Sequence, residues 1–238
     1  MEVKQETQYP QEYTQRINQL LNSRDEANVE LAFYILKGSG IPYELYKTLG
    51  TGKKVLLCLE HGFYNIVEDV QSLDWEDCDL KELPPNIDHL KKLRELYLEY
   101  NQLHTLPQAL MCLTNLRELN LSENQLVKIP KEIGYLKKME ELKLSGNQLT
   151  SIPKEIGNLT QLQYIGLSNN RITQLPREFT YLKNLEYIGF SNNELTHLPQ
   201  EIYSLPRLKK ITLYGNRFAH EEIKKINRHL PNTYVRFR

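Results

Sequence analysis

The glycine and lysine run at residues 50–54 comes nearest to a chemical site in this sequence. The order Gly-Thr-Gly-Lys-Lys is similar to a phosphate-binding loop, in which glycine N–H groups cradle a phosphate and a lysine contacts it. The frame of that motif fails, because Lys47 stands where its first glycine belongs and Lys54 stands where its magnesium-binding serine or threonine belongs. We therefore interpret the run as a turn between helices.

The histidines and cysteines show no spacing that predicts a catalytic or metal site. None of the six histidines is paired with a cysteine at the separation typical of a metal site. Cys112 has no basic residue beside it that would activate its thiol, so we expect a structural role for it. We predict no catalytic residue, no metal and no cofactor.

An asparagine returns every 23 residues over nearly half of the chain. Apolar residues occupy positions −8, −5, −3 and +2 relative to each asparagine, and a proline follows five of them at position +6. A fixed period with the core L-x-x-L-x-L-x-x-N-x-L indicates a solenoid of stacked repeats. The asparagines are Asn101, Asn124, Asn147, Asn170, Asn193 and Asn216.

The chain thereby resembles the leucine-rich repeat proteins, in the class whose second half follows the pattern L/I-P-x-x-I-x-x-L. The resemblance implies an α/β fold, with a curved parallel sheet on one side and short helical or 3₁₀ segments on the convex side. Repeats of this class are similar to those of intracellular scaffolds in Ras-type GTPase signalling and of many bacterial proteins.

The residue types at each repeat position give physical reasons for the same architecture. Leu96 and Leu98 alternate with Tyr97 and Glu99, which predicts a short strand with one buried face. Proline fixes φ where a short helix begins, and its missing N–H costs little there. A buried asparagine amide can bond backbone groups that a sharp turn leaves unpaired, so we expect it to tie each repeat to the next.

The sequence divides into a helical leader, the repeats and a C-terminal cap. We predict a helical N-terminal capping region at residues 1–69, about seven repeats at 70–216 and a C-terminal cap at 217–238, because terminal repeats need covering. The first repeat carries Cys78 in place of asparagine and a strand at residues 73–75. The cap holds a short helix with Ile223, Ile226 and Leu230, then a closing strand from Tyr234 to Phe237.

Four helices are predicted in the leader. The first starts at Gln11, and the second is bounded by a capping box of Ser23 and Glu26 and by Gly38. A third is expected at residues 42–49, and the run that begins at Val55 is predicted to be a fourth helix ending at Gly62.

The exposed side chains of the sheet form a graded surface. Acidic residues dominate the first strands, tyrosines and glycines alternate on the middle strands, and lysine and tyrosine lie on the last. Two neighbouring strand glycines indicate a place where a partner approaches the backbone closely, and exposed tyrosines are enriched at binding hot spots. The predicted partner-binding residues are Tyr97, Glu99, Glu118, Glu141, Tyr164, Gly166, Tyr187, Gly189, Lys210 and Tyr214.

These features predict a non-enzymatic scaffold that binds a partner protein on the concave sheet face. Lysine plus arginine and aspartate plus glutamate number 30 each, so no net field favours nucleic acid or an acidic membrane. Three cysteines and an N-terminus without an apolar core favour the cytoplasm. Two alternatives remain: the substrate-recognition part of a secreted bacterial effector or ubiquitin-ligase-type enzyme, and a structural, self-assembling repeat protein.

Overall fold

The computed structural model describes residues 9–39, 41, 45, 49–50 and 52–237. It divides the chain into a first unit, residues 1–70, and a second unit, residues 71–238. No helix among the described residues is long and apolar enough to cross a membrane. The capping role predicted for residues 1–69 stays a prediction.

The described part of the first unit is helical. Its helices are α1 (Gln11–Leu21), α2 (Glu26–Ser39), α3 (Lys53–His61) and α4 (Tyr64–Val67). Phe33 of α2 is fully buried and its ring stacks on His61, with the two ring centroids 5.4 Å apart. Gly62 adopts the left-handed conformation with φ 79° and ends α3, as the sequence predicts.

Two predicted boundaries of α2 are wrong. The helix begins after Asp25, whose carboxylate accepts the N–H of Ala27 over 3.0 Å, while the Ser23 hydroxyl accepts the N–H of Asp25. Asp25 is therefore the capping residue, because it directly precedes the first turn. Gly38 lies inside the helix, which continues to Ser39. The helix predicted at residues 42–49 falls mostly outside the described residues.

The second unit is built on a parallel sheet of eight strands within the described residues, in the order β1 to β8. Each strand is three residues long, and its middle residue is apolar and faces the core, buried in β1 to β7. The strands are β1 (Ser72–Asp74), β2 (Glu95–Tyr97), β3 (Glu118–Asn120), β4 (Glu141–Lys143), β5 (Tyr164–Gly166), β6 (Tyr187–Gly189), β7 (Lys210–Thr212) and β8 (Tyr234–Arg236).

Short 3₁₀ helices return the chain from each strand to the next between β1 and β7. A proline precedes each of the five-residue helices, as its fixed φ predicts. Their isoleucine, leucine and phenylalanine side chains are buried in the same core as the middle residues of the strands. The 3₁₀ helices are Ile87–His89, Gln108–Cys112, Lys131–Tyr135, Lys154–Asn158, Arg177–Tyr181 and Gln200–Ser204.

The recurring asparagine fastens each repeat to the one before it. Asn147 is 7% exposed, its Oδ1 accepts the N–H of Leu126 over 2.9 Å, and its Nδ2 donates to the carbonyls of Leu121 and Leu144. The same set of bonds recurs from Asn101 to Asn216. At the first repeat Cys78 substitutes in part, since its thiol contacts the carbonyl of Glu76.

The residue before each of these asparagines, or before Cys78, has a positive φ. Aspartate, asparagine and glycine fill most of these places, but Tyr100 and Glu123 hold φ values of 54° and 52° there. Residues other than glycine, asparagine and aspartate are strained in this left-handed region. A side chain at Gly215 would displace that of Asn192, because an added Cβ would lie 2.1 Å from Asn192 Oδ1.

Replacing Tyr100 by asparagine is expected to stabilise the protein. Tyr100 is 55% exposed, so little packing is lost, while asparagine accepts the left-handed φ at lower cost. We expect the free energy of unfolding to rise by about 0.5–1 kcal/mol, measured by urea denaturation. Tyr135→Asn is the control, because Tyr135 is similarly exposed at an ordinary φ, and no gain is expected there. Equal effects of the two substitutions would contradict the strain at Tyr100.

The last strand and helix close the second unit. Helix α5 (His220–His229) follows the last repeat, and β8 then pairs with β7. Glu222 of α5 accepts the N–H of Leu198, and the ring of His229 stacks on Tyr203 with centroids 4.8 Å apart. Burial and the neighbouring Glu222 raise the pKa of Tyr203 to about 12. At the other end of the sheet, β1 begins one residue earlier than the sequence predicts.

Candidate functional site

The first and third residues of each strand face away from the core and form the inner face of the sheet. Tight strand register places equivalent residues side by side, so that Glu95, Glu118 and Glu141 adjoin one another in one row. Tyr164, Tyr187 and Lys210 continue this row across β5 to β7. The third-residue row runs through Tyr97, Asn120, Lys143, Gly166, Gly189 and Thr212.

The acidic end of the inner face carries internal charge pairs. Lys143 Nζ lies 2.6 Å from Glu118 Oε1 and 3.1 Å from Glu141 Oε2. Tyr97 donates its hydroxyl to Glu118 over 3.1 Å, and Asn120 donates its amide to Glu99 over 2.8 Å. Glu99, Glu118 and Glu141 thus have partners inside the chain, which reduces the negative field that this end presents.

This network raises the pKa of two side chains, Tyr97 and Lys143. Burial and the hydrogen bond to Glu118 raise the pKa of Tyr97 to about 12. Burial alone would lower the pKa of Lys143, but hydrogen bonds to Glu118 and Glu141 outweigh it and raise that pKa. Tyr97 and Lys143 therefore keep their protons at neutral pH, and neither is tuned to act as an acid or base.

The middle of the inner face contains the two glycines that the sequence singles out, and they differ. The ring of Tyr164 lies over Gly166, where an added Cβ would meet that ring at 3.2 Å. A Cβ added at Gly189 would lie 3.2 Å from Ser168 Oγ and 3.7 Å from the Cα of Gly166. Gly166 is buried beneath the aromatic ring, whereas Gly189 is half-buried and the ring of Tyr187 does not lie over it.

A small concavity of about 150 Å³ lies at Gly189. Tyr187, which is 40% exposed, and Lys210 stand on its wall, and Thr212 and Ser168 add hydroxyl groups. Tyr164 also lines it and is half-buried. The concavity is therefore small, open to solvent, and bordered by aromatic and hydrogen-bonding groups.

Ser191, two residues after Gly189, is not part of the exposed surface. It is 1% exposed, and no hydrogen-bond partner for its hydroxyl is found among the described residues. Because its side chain is buried, a ligand on the face does not reach it. Asn192, by contrast, is exposed and donates its amide to Asn169 Oδ1 over 2.7 Å.

The last two strands present cations next to aromatic rings. Lys210 Nζ lies 5.8 Å from the ring centroid of Tyr234, and Arg236 Cζ lies 5.4 Å from that of Tyr214, which is 36% exposed. Tyr234 and Arg236 are not among the site residues predicted from the sequence. In the strand register Lys210 lies beside Tyr234, which is one position further along the chain than the period of the repeats predicts. The period therefore does not assign Tyr234 and Arg236 to the inner face.

The glycine and lysine run, the cysteines and the histidines do not form a chemical site among the described residues. The structure describes Gly52 just before α3, and Thr51 of the glycine and lysine run lies outside the described residues. Burial raises the pKa of the Cys58 thiol to about 12, and Cys112 is exposed. No group of three or more histidine, cysteine, aspartate or glutamate side chains among the described residues is placed to hold a metal ion.

Comparison with known proteins identifies the class. The family model described as Leucine rich repeat matches residues 70–126, 114–172 and 160–218. These matches span more than half of the chain, and the chain belongs to the leucine-rich repeat family. Its members are generally modules for protein interaction, and they are typically non-enzymatic.

The chain is also similar to a solved structure. A leucine-rich repeat protein of Leptospira interrogans is 33% identical to the chain, covers 78% of it, and superposes with a TM-score of 0.49. The chain spans 57% of the length of that protein. No curated protein matches the chain.

Proposed function

We propose that this protein is a non-enzymatic scaffold that binds a partner protein on the inner face of its sheet. The half-buried backbone at Gly189, which the neighbouring exposed ring of Tyr187 leaves uncovered, is the observation that carries the proposal. A glycine inside a strand weakens the sheet, and the loss is offset when another chain approaches the backbone there. The family supports the general role, and the cytoplasmic location stays a prediction.

The geometry favours Tyr187 as an anchor over the other tyrosines of the inner face. Tyr164 covers Gly166, and the hydroxyl of Tyr97 is bonded to Glu118, so both are engaged within the sheet. Tyr187 is more exposed and borders the concavity. A rigid aromatic ring beside uncovered backbone offers a partner both apolar contact and a hydrogen-bonding hydroxyl.

The acidic end of the inner face has a secondary role in the proposed binding. Its carboxylates are engaged by Lys143, Tyr97 and Asn120, so a partner has to compete with bonds that already exist. We expect Glu99, Glu118 and Glu141 to influence orientation and association rate more than affinity.

Tyr187→Ala is expected to weaken the partner complex without unfolding the protein. Removing a ring that acts as an anchor should cost about 1–3 kcal/mol of binding free energy, measured by titration calorimetry with a partner captured from native lysate. Tyr135→Ala is the matched control, since Tyr135 is 60% exposed on a 3₁₀ helix and away from the inner face.

The control distinguishes the loss of an anchor on the inner face from the loss of any exposed tyrosine. Circular dichroism should be the same for wild type and both variants. An affinity that is unchanged in Tyr187→Ala, or equally reduced in Tyr135→Ala, would contradict the proposed site.

A further inference from the structure

We infer that the end of the inner face formed by β6, β7 and β8 takes an acidic segment of the partner protein, with a carboxylate at Lys210. This inference rests on the proposed function and names the chemistry of the partner at that site. It uses the first and third residues of the three strands, which we term the cationic end: Tyr187, Gly189, Lys210, Thr212, Tyr234 and Arg236.

Charge is distributed unevenly along the inner face. The first and third residues of β2 to β4 include three glutamates and one lysine, whereas those of β5 are tyrosine and glycine. The cationic end has one lysine, one arginine and no carboxylate. Because the two ends differ in sign, a ligand that lies across the strands is oriented by its own charges.

Lys210 differs from the other lysines of this region in its ion pairing. Lys143 is bonded to Glu118 and Glu141, and Lys209 lies 2.6 Å from Glu186 Oε2, which raises the pKa of Lys209. For Lys210, the described residues provide no carboxylate at ion-pair distance from Nζ. Its side chain is exposed and borders the concavity at Gly189.

The neighbours of Lys210 suit a carboxylate. Strand register places Tyr187 on one side of Lys210 and Tyr234 on the other. The face of the Tyr234 ring attracts the ammonium group, which limits where that flexible side chain lies. Phenol hydroxyl groups donate hydrogen bonds, so a carboxylate at Lys210 has further donors within the same row.

The spacing favours an extended segment. Neighbouring strands lie about 4.8 Å apart and an extended chain rises about 3.3 Å per residue, so a short segment crossing the strands reaches from Gly189 to β8. Its backbone lies against the uncovered Gly189, and an aspartate or glutamate one or two residues further along meets Lys210. A helix is about 10–12 Å across with its side chains, which hold its backbone too far away to lie against Gly189.

The test is selection of displayed random peptides on the immobilised full chain, followed by affinity measurement on wild type, Lys210→Gln, Lys209→Gln and Tyr187→Ala. We expect the selected peptides to be enriched in aspartate and glutamate. We expect Lys210→Gln to weaken them about tenfold, with a smaller effect of added salt on the variant than on wild type. Lys209→Gln, which removes a lysine already paired with Glu186, should leave affinity unchanged.

Different results would overturn the acidic-segment inference and the proposed function. Peptides that need Tyr187 but show no acidic enrichment and no loss in Lys210→Gln would overturn the acidic-segment inference and leave the proposed function standing. Peptides whose affinity is unchanged in both Tyr187→Ala and Lys210→Gln would overturn the inner-face site itself. Equal losses in Lys209→Gln and Lys210→Gln would show a general charge effect and also overturn the specific role of Lys210.

Discussion

Asn147→Ala is expected to lower the free energy of unfolding by about 3–5 kcal/mol. The substitution leaves the N–H of Leu126 without a partner, in a place where Asn147 is 7% exposed. It also removes one of the two asparagine amides that bond each of the carbonyls of Leu121 and Leu144. A buried polar group that loses its only partner costs about 1–3 kcal/mol, and each further lost hydrogen bond costs about 0.5–1.5 kcal/mol. Urea denaturation followed by circular dichroism measures the loss.

A surface asparagine provides the control for this prediction. Asn115 also joins one repeat to the previous one, since its Nδ2 donates to the carbonyl of Lys91 over 2.8 Å, but it is only half-buried. Asn115→Ala should cost less than about 1 kcal/mol, because water can satisfy the groups that it leaves. If the two substitutions cost the same, the buried amide ladder is not what holds the repeats together.

Leu144→Ala is expected to lower the free energy of unfolding by about 2–5 kcal/mol. Leu144 is 1% exposed, and the equivalent leucines of the neighbouring repeats, Leu121 and Leu167, are buried as well. A rigid stack of repeats cannot collapse around the space that the missing atoms leave, so a cavity adds to the lost transfer free energy. Urea denaturation measures this loss too.

The matched control for Leu144 is an exposed apolar residue of the adjacent repeat. Val127 is 49% exposed, and Val127→Ala should change the free energy of unfolding by less than about 0.5 kcal/mol. A cost below about 1 kcal/mol at Leu144 would mean that the core rearranges around the substitution, contrary to the stacking described above.

The repeat architecture could be predicted from the sequence because one physical requirement recurs at each position. A buried leucine or isoleucine at the middle of each strand and an amide at each turn are needed once in every repeat, so six copies reveal both. The left-handed φ before each asparagine was less visible. Gly146 and Asn169 indicate it, but Tyr100 and Glu123 occupy the same place and give no sign of it.

The details of the candidate site depend on contacts between repeats that composition does not specify. The glutamates of the first strands suggested an acidic surface, whereas Lys143 lies between two of them and neutralises part of their charge. The glycines at Gly166 and Gly189 looked equivalent, but only the ring of Tyr164 turns onto its neighbouring glycine. These differences arise from rotamers, for which the repeat gives no rule.

The ends of the elements were the least predictable part. Ser23 and Asp25 are both good helix caps, and the choice between them depends on the turn that leads into α2. At the other end of the chain the period breaks, since the partner of Lys210 in β8 comes one position later than a regular repeat would place it. The row that joins Tyr187, Lys210 and Tyr234 therefore becomes visible only in the fold.

Affinity capture from native lysate is the most direct test of the proposed binding face. The comparison uses wild type, the Tyr164→Ala/Tyr187→Ala variant and a Tyr135→Ala/Tyr181→Ala control whose tyrosines lie on 3₁₀ helices, each shown to fold by circular dichroism. We predict a protein that wild type and the control retain and the inner-face variant loses. Retention of the same proteins by all three, or of none by wild type, would contradict an inner-face interaction site.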